Sequence, residues 1–259
     1  MKKTALITGA SSGFGTEFAR LFAGDGVDLV LVARNLDKLQ SIASELGSKY
    51  NVTVHVFGKD LGRMSEVQNL YDEIISKNIQ IDYLINNAGF GAFGEFHLSG
   101  WSRMEEMIDL NIKALTKLNY LFANTMISNG SGRIMNVAST AAFQPGPLMA
   151  VYFATKAFVL YLGEAMSNEL KGTGVTVTTL CPGESETGFQ AAAGMLDSKL
   201  FKGKKLPSAK EVAEFGYGKM MKGKMTVVHG LKNKIVSRTA GFLPRKTALG
   251  IVRKMLEKV

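Results

Sequence analysis

The feature that most constrains the fold is a regular alternation of short apolar segments with one-sided helical patterns along nearly the whole chain. Strand-like segments cover residues 5–8, 28–33, 52–57, 83–86, 132–138, 175–180 and 225–229. Helical spacing fills the intervals near 14–24, 36–47, 65–78, 102–128, 152–170 and 209–222. Strands such as Leu29-Val30-Leu31-Val32 lack internal alternation, so both of their faces must be covered. The sequence therefore predicts a doubly wound α/β domain with about seven parallel strands and helices on both faces of the sheet.

Length and composition agree with one globular core. The 259 residues are 46% hydrophobic and 20% charged, which suits a single domain spanning residues 1–259. The one cysteine, Cys181, excludes an intramolecular disulfide and fits a reducing compartment. The apolar run after Met1-Lys2-Lys3 is too short for a signal peptide. We therefore expect a cytoplasmic protein.

The positive charge of the chain is concentrated near its C-terminus. The net charge is +9, and residues 202–259 hold 15 Lys or Arg residues and three Glu residues. A solvated basic surface is the preferred interpretation, and attraction of acidic ligands or of a membrane surface is the alternative. Nucleic acid is not an expected partner, because no zinc-finger, RNP or basic-zipper pattern occurs.

The basic C-terminal segment, about residues 230–259, also has an amphipathic pattern. Pro244 can start a helix, which we expect to pack on the body of the protein or on a partner subunit. Its apolar face is formed by Ala248, Leu249, Val252, Met255, Leu256 and Val259.

Residues 187–208 interrupt the alternation of strands and helices. This stretch contains no strand pattern and includes the sequence Phe201-Lys202-Gly203-Lys204-Lys205. Long insertions are uncommon in compact domains unless they serve function. We interpret this one as a substrate-covering flap.

A glycine-rich loop joins the first strand to the first helix. Its sequence is Thr8-Gly9-Ala10-Ser11-Ser12-Gly13-Phe14-Gly15. Glycines allow a sharp turn and a close backbone approach, and the start of a helix offers free N–H groups to a phosphate. Since the loop stands between a strand and a helix, a Rossmann-like dinucleotide site is favoured over a simple glycine turn. The expected cofactor contacts are Gly9, Ser11, Ser12, Gly13, Phe14 and Gly15.

The G-x-x-x-G-x-G spacing of this loop, preceded by Thr, resembles that of the short-chain dehydrogenase/reductase family in its compact single-domain form. Further matches follow in the family's order across roughly residues 4–190. They are Asn86-Asn87-Ala88-Gly89, Asn111, Ser139, Tyr152 with Lys156, and Pro182-Gly183 with Thr187.

The resemblance implies a catalytic tetrad of Asn111, Ser139, Tyr152 and Lys156, in which Asn111 holds a water beside Lys156. It also implies several contacts along the cofactor, two of them at the adenine edge through Asp60 and Leu61. The remaining expected contacts are Asn87, Ala88, Gly89, Asn111, Tyr152, Lys156, Pro182, Gly183 and Thr187. Glu184 and Glu186 depart from the family pattern and either face solvent or recognise a polar substrate group.

The end of the second strand indicates which dinucleotide is preferred. An acidic residue is expected there if the adenosine ribose keeps a free 2′-hydroxyl, but the sequence is Val32-Ala33-Arg34-Asn35. The guanidinium of Arg34 can pair with a 2′-phosphate through two parallel hydrogen bonds. An ordinary surface arginine is the alternative. The sequence therefore predicts NADP(H) over NAD(H).

Tyr152 and Lys156 are four residues apart, so they share one face of a helix. Lowering a tyrosine pKa from about 10 to about 7 requires on the order of 4 kcal/mol, which a nearby ammonium and a positive nicotinamide can supply. Tyr152 would then exchange the proton with the carbonyl oxygen while Ser139 donates a hydrogen bond to it. Taken singly, these residues are ordinary packing or capping groups.

The substrate side is less sharply indicated. Phe90, Phe93, Phe143 and Phe189 are candidates for lining it, and aromatic core packing is the alternative. His55, His97 and His229 have no metal-ligand spacing, so we expect no metal site.

The leading hypothesis is an NADP(H)-dependent carbonyl reductase or alcohol dehydrogenase for an apolar substrate, of fatty-acyl or steroid-like character. The alternative is a cofactor-binding regulator or lipid-associated protein of the same fold without turnover. The family resemblance implies a homodimer or homotetramer that pairs helices near 102–128 and 152–170. Peripheral membrane contact through the basic C-terminal segment is a further, less favoured hypothesis.

Overall fold

The computed structural model describes residues 2–195, residue 198 and residues 206–257. The central part of the expected flap, including residues 201–205, therefore lies outside the described residues, as does Val259 of the expected C-terminal helix face.

The seven expected strands form one parallel sheet. They are β1 (Thr4–Thr8), β2 (Asp28–Ala33), β3 (Val54–Gly58), β4 (Tyr83–Asn86), β5 (Gly132–Val137), β6 (Val175–Cys181) and β7 (Thr226–Val228). Their order is β3-β2-β1-β4-β5-β6-β7. The order reverses between β1 and β4, and open α/β sheets bind ligands at the carboxyl ends of the strands where such a reversal occurs. The predicted doubly wound fold is confirmed.

Helices lie between the strands, as the sequence patterns predict, and two further helices follow β7. They are α1 (Gly13–Gly24), α2 (Leu36–Tyr50), α3 (Met64–Ser76), α4 (Trp101–Ile108), α5 (Leu115–Ser128), α6 (Ala150–Glu169), α7 (Phe189–Ala192), α8 (Ala209–Met221), α9 (Leu231–Thr239) and α10 (Arg245–Leu256). Among the described residues, no helix is both long and apolar enough to span a bilayer.

Each inner strand contributes to two apolar cores, one on each face of the sheet. Leu29 and Leu31 of β2 belong to the core that contains Phe18 and Phe22 of α1. Val30 of the same strand points into the opposite core, where Phe122 of α5 packs. Burial on both faces explains why the strand sequences show no alternation of apolar and polar residues.

The expected helix over 102–128 is not continuous. A π-helical segment, Asp109–Ala114, separates α4 from α5 and contains Asn111. Such segments are rare and occur frequently at functional sites, because the wider turn redirects the side chains on it. Apolar spacing does not reveal this interruption, since the residues on both sides keep the helical periodicity.

The C-terminal helix α10 begins after Pro244, as predicted. However, only part of its expected apolar face is buried. Ala248, Val252 and Leu256 are buried, whereas Leu249 and Met255 remain 37% and 44% exposed. The predicted packing on the body of the protein is thus confirmed for one side of the helix only.

Candidate active site

The glycine-rich loop turns tightly from β1 into α1 at the point where the strand order reverses. Gly9 and Gly13 have φ angles of 65° and 55°, a left-handed conformation that glycine adopts without strain. A Cβ atom on Gly9 would lie 2.9 Å from Nδ2 of Asn87, and a Cβ atom on Gly15 would overlap the carbonyl of Gly9. Close packing therefore requires glycine at positions 9 and 15, and the backbone conformation favours it at position 13.

Thr8 fixes this loop to the segment that follows β4. Its Oγ1 accepts hydrogen bonds from the backbone N–H groups of Asn87 and Ala88, both at 3.0 Å. Nδ2 of Asn87 donates in return to the carbonyl of Thr8 at 2.9 Å. Thr8 therefore holds the glycine-rich loop in position, a role that its place in the loop sequence does not reveal.

A cavity of about 510 Å³ runs along the carboxyl ends of the strands and brings together most of the expected site residues. The expected residues that line it are Gly9, Ser11, Ser12, Gly13, Phe14, Arg34, Asp60, Leu61, Asn87, Ala88, Gly89, Phe90, Ser139, Tyr152, Lys156, Pro182, Gly183, Thr187 and Phe189. Residues separated by more than a hundred positions thus face one space.

Four expected site residues do not line this cavity. Gly15 supports the loop from behind by its close contact with Gly9. Phe93 packs beside the site in the cluster that contains Tyr152. Phe143 packs against a separate cluster with Leu115, Val159 and Leu160, and its expected role toward substrate stays a prediction.

Asn111 is the fourth of these residues, and its side chain is buried. Its Nδ2 donates to the carbonyl of Phe90 at 2.9 Å and to Oγ1 of Thr155 at 3.1 Å, and its Oδ1 accepts from the N–H of Phe90 at 3.1 Å. Both amide hydrogens are therefore used within the protein. The Asn111 side chain thus links the π-helical segment to the loop that follows β4 and to α6. Its expected role of holding a water beside Lys156 stays a prediction.

Tyr152 and Lys156 lie one turn apart on α6, and both are buried. Nζ of Lys156 donates to the carbonyl of Val137 at 2.8 Å and lies 5.8 Å from the centre of the Tyr152 ring. An ammonium has three donors, so this bond leaves two for other groups in the cavity.

Burial dominates the acidity of both groups. It raises the pKa of Tyr152 to about 12, and the opposing interaction with Ser139 is smaller. Burial also lowers the pKa of Lys156 to about 8, against a smaller opposing effect of Cys181. In the protein alone the Tyr152 pKa is shifted upward, because desolvation disfavours the phenolate. The expected lowering by the ammonium together with a positive nicotinamide stays a prediction.

One end of the cavity carries an available positive charge. Arg34 follows β2 and lines the cavity together with Asn35, Lys59 and Asp60. Lys59 is held by Glu73 at 2.7 Å and Glu66 at 3.4 Å, whereas Arg34 makes no ion pair with any described residue. Its guanidinium therefore remains available for an anionic group.

The other end of the cavity is apolar, and most of the residues that form it carry no recognisable motif in the sequence. Besides Phe90 and Phe189, this end is lined by Met149, Met195, Val252, Met255 and Leu256. The last three belong to α10, about a hundred residues after Tyr152. The apolar spacing of these three residues predicted that one face of the helix is packed, but it did not indicate which part of the protein that face contacts.

Within the described residues, no cluster of three or more His, Cys, Asp or Glu side chains is arranged to hold a metal ion.

Comparison with known proteins identifies the family. A sequence model of short chain dehydrogenases matches residues 3–195. The chain belongs to the short-chain dehydrogenase family. This short-chain dehydrogenase is an oxidoreductase of alcohol and carbonyl groups.

Individual relatives agree with this assignment. Sulfoacetaldehyde reductase 2 of Chromohalobacter salexigens is 38% identical over 194 residues, which cover 73% of this chain and 75% of that protein. A short-chain dehydrogenase from Sphingobium yanoikuyae in complex with NADPH has a TM-score of 0.83 and 31% identity, covering 93% of this chain and 94% of that one. The bulky-bulky ketone specific alcohol dehydrogenase from Comamonas testosteroni has a TM-score of 0.79 and 28% identity, with 93% of each chain covered.

Substitution of Arg34 tests its role at the cofactor end. Arg34→Glu should raise the apparent KM for NADPH by on the order of 10- to 100-fold, because hydrogen bonds to a charged group are lost. The KM for NADH should change far less. Steady-state kinetics with both cofactors measure the difference, and Lys49→Glu at the far end of α2 makes the same charge change as a control. Equal effects on both cofactors would remove Arg34 from this role.

The buried ammonium of Lys156 should cost stability in the cofactor-free protein. In the unfolded chain Lys156 stays protonated up to about pH 10.5. The free-energy cost of burying its charge is therefore fully present below pH 8 and disappears as the pH rises from 8 to 10.5. Lys156→Met should therefore increase the free energy of unfolding at pH 7 by on the order of 2 kcal/mol, with a gain that shrinks over this interval.

Chemical denaturation at several pH values measures this effect. Lys171→Met, at an exposed position after the same helix, is the control and should leave the pH profile unchanged. A Lys156→Met variant that is less stable than the parent at pH 7 would show that the bond to Val137 outweighs the burial penalty.

Proposed function

We propose that this short-chain dehydrogenase is an NADPH-dependent reductase of apolar ketones or aldehydes, with Tyr152 as the proton donor. The observation that carries the proposal is that Tyr152, Ser139 and Lys156 line the same cavity as the glycine-rich loop at one end and the apolar α10 side chains at the other. One space thus offers a dinucleotide cradle, a proton donor and room for an apolar group.

The residues of the cavity fit a nicotinamide dinucleotide. The glycine-rich loop leaves no room for a Cβ atom at Gly9, and it lies at the start of α1, where free N–H groups suit a pyrophosphate. Arg34 supplies a cation where a 2′-phosphate would be recognised. The bound NADPH of the Sphingobium yanoikuyae relative supports the same preference. When bound, the reduced nicotinamide supplies the hydride for the carbonyl carbon.

The protein side chains handle the proton and the developing negative charge. The raised pKa of Tyr152 keeps its phenol protonated at neutral pH, which is the form that can donate a proton to the carbonyl oxygen. Ser139 donates a hydrogen bond to the same oxygen and so stabilises the charge that develops there. The ammonium of Lys156 stabilises the phenolate that remains after the proton has been donated.

The lining of the substrate end favours an apolar, bulky carbonyl compound. Met149, Met195, Val252, Met255 and Leu256 offer flexible thioethers and aliphatic groups and no charge. The substrate specificity named for the Comamonas testosteroni alcohol dehydrogenase, bulky ketones, supports this class. A fatty-acyl or steroid-like carbonyl is the part of the class that this lining suits best.

The oligomeric state and cellular location complete the proposal. Tyr120 on α5 and Phe158 on α6 are exposed apolar residues on the two helices that family resemblance assigns to subunit pairing. We therefore propose a homodimer or homotetramer. A single cysteine, Cys181, without a disulfide partner suits a reducing compartment such as the cytoplasm.

Removal of one hydroxyl tests the proton donor. Tyr152→Phe should lower kcat for carbonyl reduction by about 10²- to 10⁴-fold, the usual contribution of a general acid. NADPH affinity, measured by fluorescence titration, should change little. Tyr161→Phe removes an exposed hydroxyl from the same helix and should retain full activity. Full turnover by Tyr152→Phe would rule out Tyr152 as the acid.

A larger residue on α10 tests the substrate end. Val252→Phe should lower kcat/KM for a bulky ketone by about tenfold or more, because overpacking costs about 1–3 kcal/mol. The kcat/KM for a small aldehyde should change less. Leu249→Phe places the same side chain on the partly exposed side of α10 and serves as the control. A uniform loss for both substrates would instead indicate damage to the catalytic residues.

A regulator that binds the cofactor without turnover is the competing function. It requires NADPH binding without its oxidation, whereas the intact cluster of Tyr152, Ser139 and Lys156 favours catalysis. Absorbance of NADPH during a screen of ketones and aldehydes separates the two functions.

A further inference from the structure

The segment after β7 leaves a large apolar area exposed. Helix α9 has no buried residue, and its Leu231 and Ile235 are 76% and 55% exposed. Phe242, between α9 and α10, is 88% exposed. A nine-residue helix gains little stability from its own hydrogen bonds, so it normally depends on burial of one face. The face of α9 therefore suits contact with a partner.

The same segment carries a strong positive charge. Its basic residues are Lys232, Lys234, Arg238, Arg245, Lys246, Arg253 and Lys254. Among the described residues, only Arg253 has an ion-pair partner, which is Glu95. Apolar side chains interspersed with uncompensated cations are the chemistry that an anionic lipid surface recognises.

A second exposed apolar segment lies beside α10. The ion pair between Arg253 and Glu95 brings the residues that follow Glu95 next to this helix. Phe96, Leu98 and Trp101 in that segment are all exposed. Tryptophan is enriched at membrane–water interfaces, because its ring has an apolar body and one polar N–H group.

Helix α10 connects this surface to the cavity. Val252, Met255 and Leu256 line the apolar end of the cavity, and Met255 is also partly exposed. One side of the helix thus belongs to the substrate site and the other to the exposed surface. An apolar compound held in a lipid layer would have a short path from this surface to the cavity.

We propose that the basic apolar surface, formed by residues 231–257 together with Phe96, Leu98 and Trp101, docks the protein on anionic lipid membranes. A second copy of the chain is a poorer partner, because a two-fold contact through this surface would place the same uncompensated cations against each other. The proposal is independent of the carbonyl reductase function, since lipid binding needs neither cofactor nor substrate.

Vesicle flotation of the full-length chain tests the proposal. The protein should float with vesicles of phosphatidylcholine and phosphatidylglycerol, and much less with vesicles of phosphatidylcholine alone. Added salt should weaken the binding, because it screens the attraction between exposed charges. Absence of binding to the anionic vesicles, or equal binding to both kinds, would overturn the proposal.

Two variants separate the charged and apolar contributions. Replacing both Lys232 and Lys234 by Gln should lower the partition coefficient by about 25-fold, or roughly fivefold for each lysine. Phe242→Ser should lower it by about tenfold or more, since insertion of the ring is lost. Lys171→Gln and Ile75→Ser make the same kinds of change at exposed positions outside this surface and should bind as the parent does.

Measurements of folding and assembly complete the test. Circular dichroism checks that each variant is folded, and the lysine variant remains informative if Phe242→Ser is not. Parent-like vesicle binding by the folded variants would contradict the proposal. Dissociation of an oligomer by Phe242→Ser, measured by sedimentation, would assign this surface to a second copy and would also contradict it.

Discussion

A short series of hydrogen bonds at the point where the strand order reverses holds the site together. Thr8 at the end of β1 binds the backbone of Asn87 and Ala88 after β4. The same segment continues to Phe90, which is bound by Asn111 of the π-helical segment. Asn111 then binds Thr155, whose hydroxyl donates to the carbonyl of Tyr152 at 2.8 Å. One hydrogen-bond network thus connects the glycine-rich loop with the proposed proton donor, Tyr152.

Two ionisable side chains beside this network, Tyr152 and Lys156, are largely removed from solvent. Desolvation keeps the phenol of Tyr152 neutral and makes the ammonium of Lys156 unfavourable. The buried ammonium of Lys156 should therefore cost stability in the free protein at neutral pH, whereas the neutral phenol of Tyr152 should not. Hydrogen-bond donors that are already held in place, with little competition from water, would stabilise a charged cofactor or a developing alkoxide.

Helix α10 takes part both in the cavity and in the exposed basic apolar surface. Its buried side closes the apolar end of the cavity, and its exposed side continues into the basic apolar surface. The family model ends at residue 195, so these residues lie beyond the part of the chain that it matches. The apolar end of the cavity therefore combines residues from the matched part of the chain, such as Met149 and Phe189, with the side chains of α10.

The sequence by itself determined the order of strands and helices, the doubly wound fold and the glycine-rich loop, because these follow from local periodicity and backbone requirements. Only the tertiary structure showed the π-helical turn at Asn111, the packing of Phe143 against a cluster separate from that of Tyr152, and the contact of α10 with the cluster that contains Tyr152. It also showed that Tyr152 and Lys156 are both buried. Such features depend on contacts between distant residues and on exclusion of water, and neither is encoded in the spacing of neighbouring side chains.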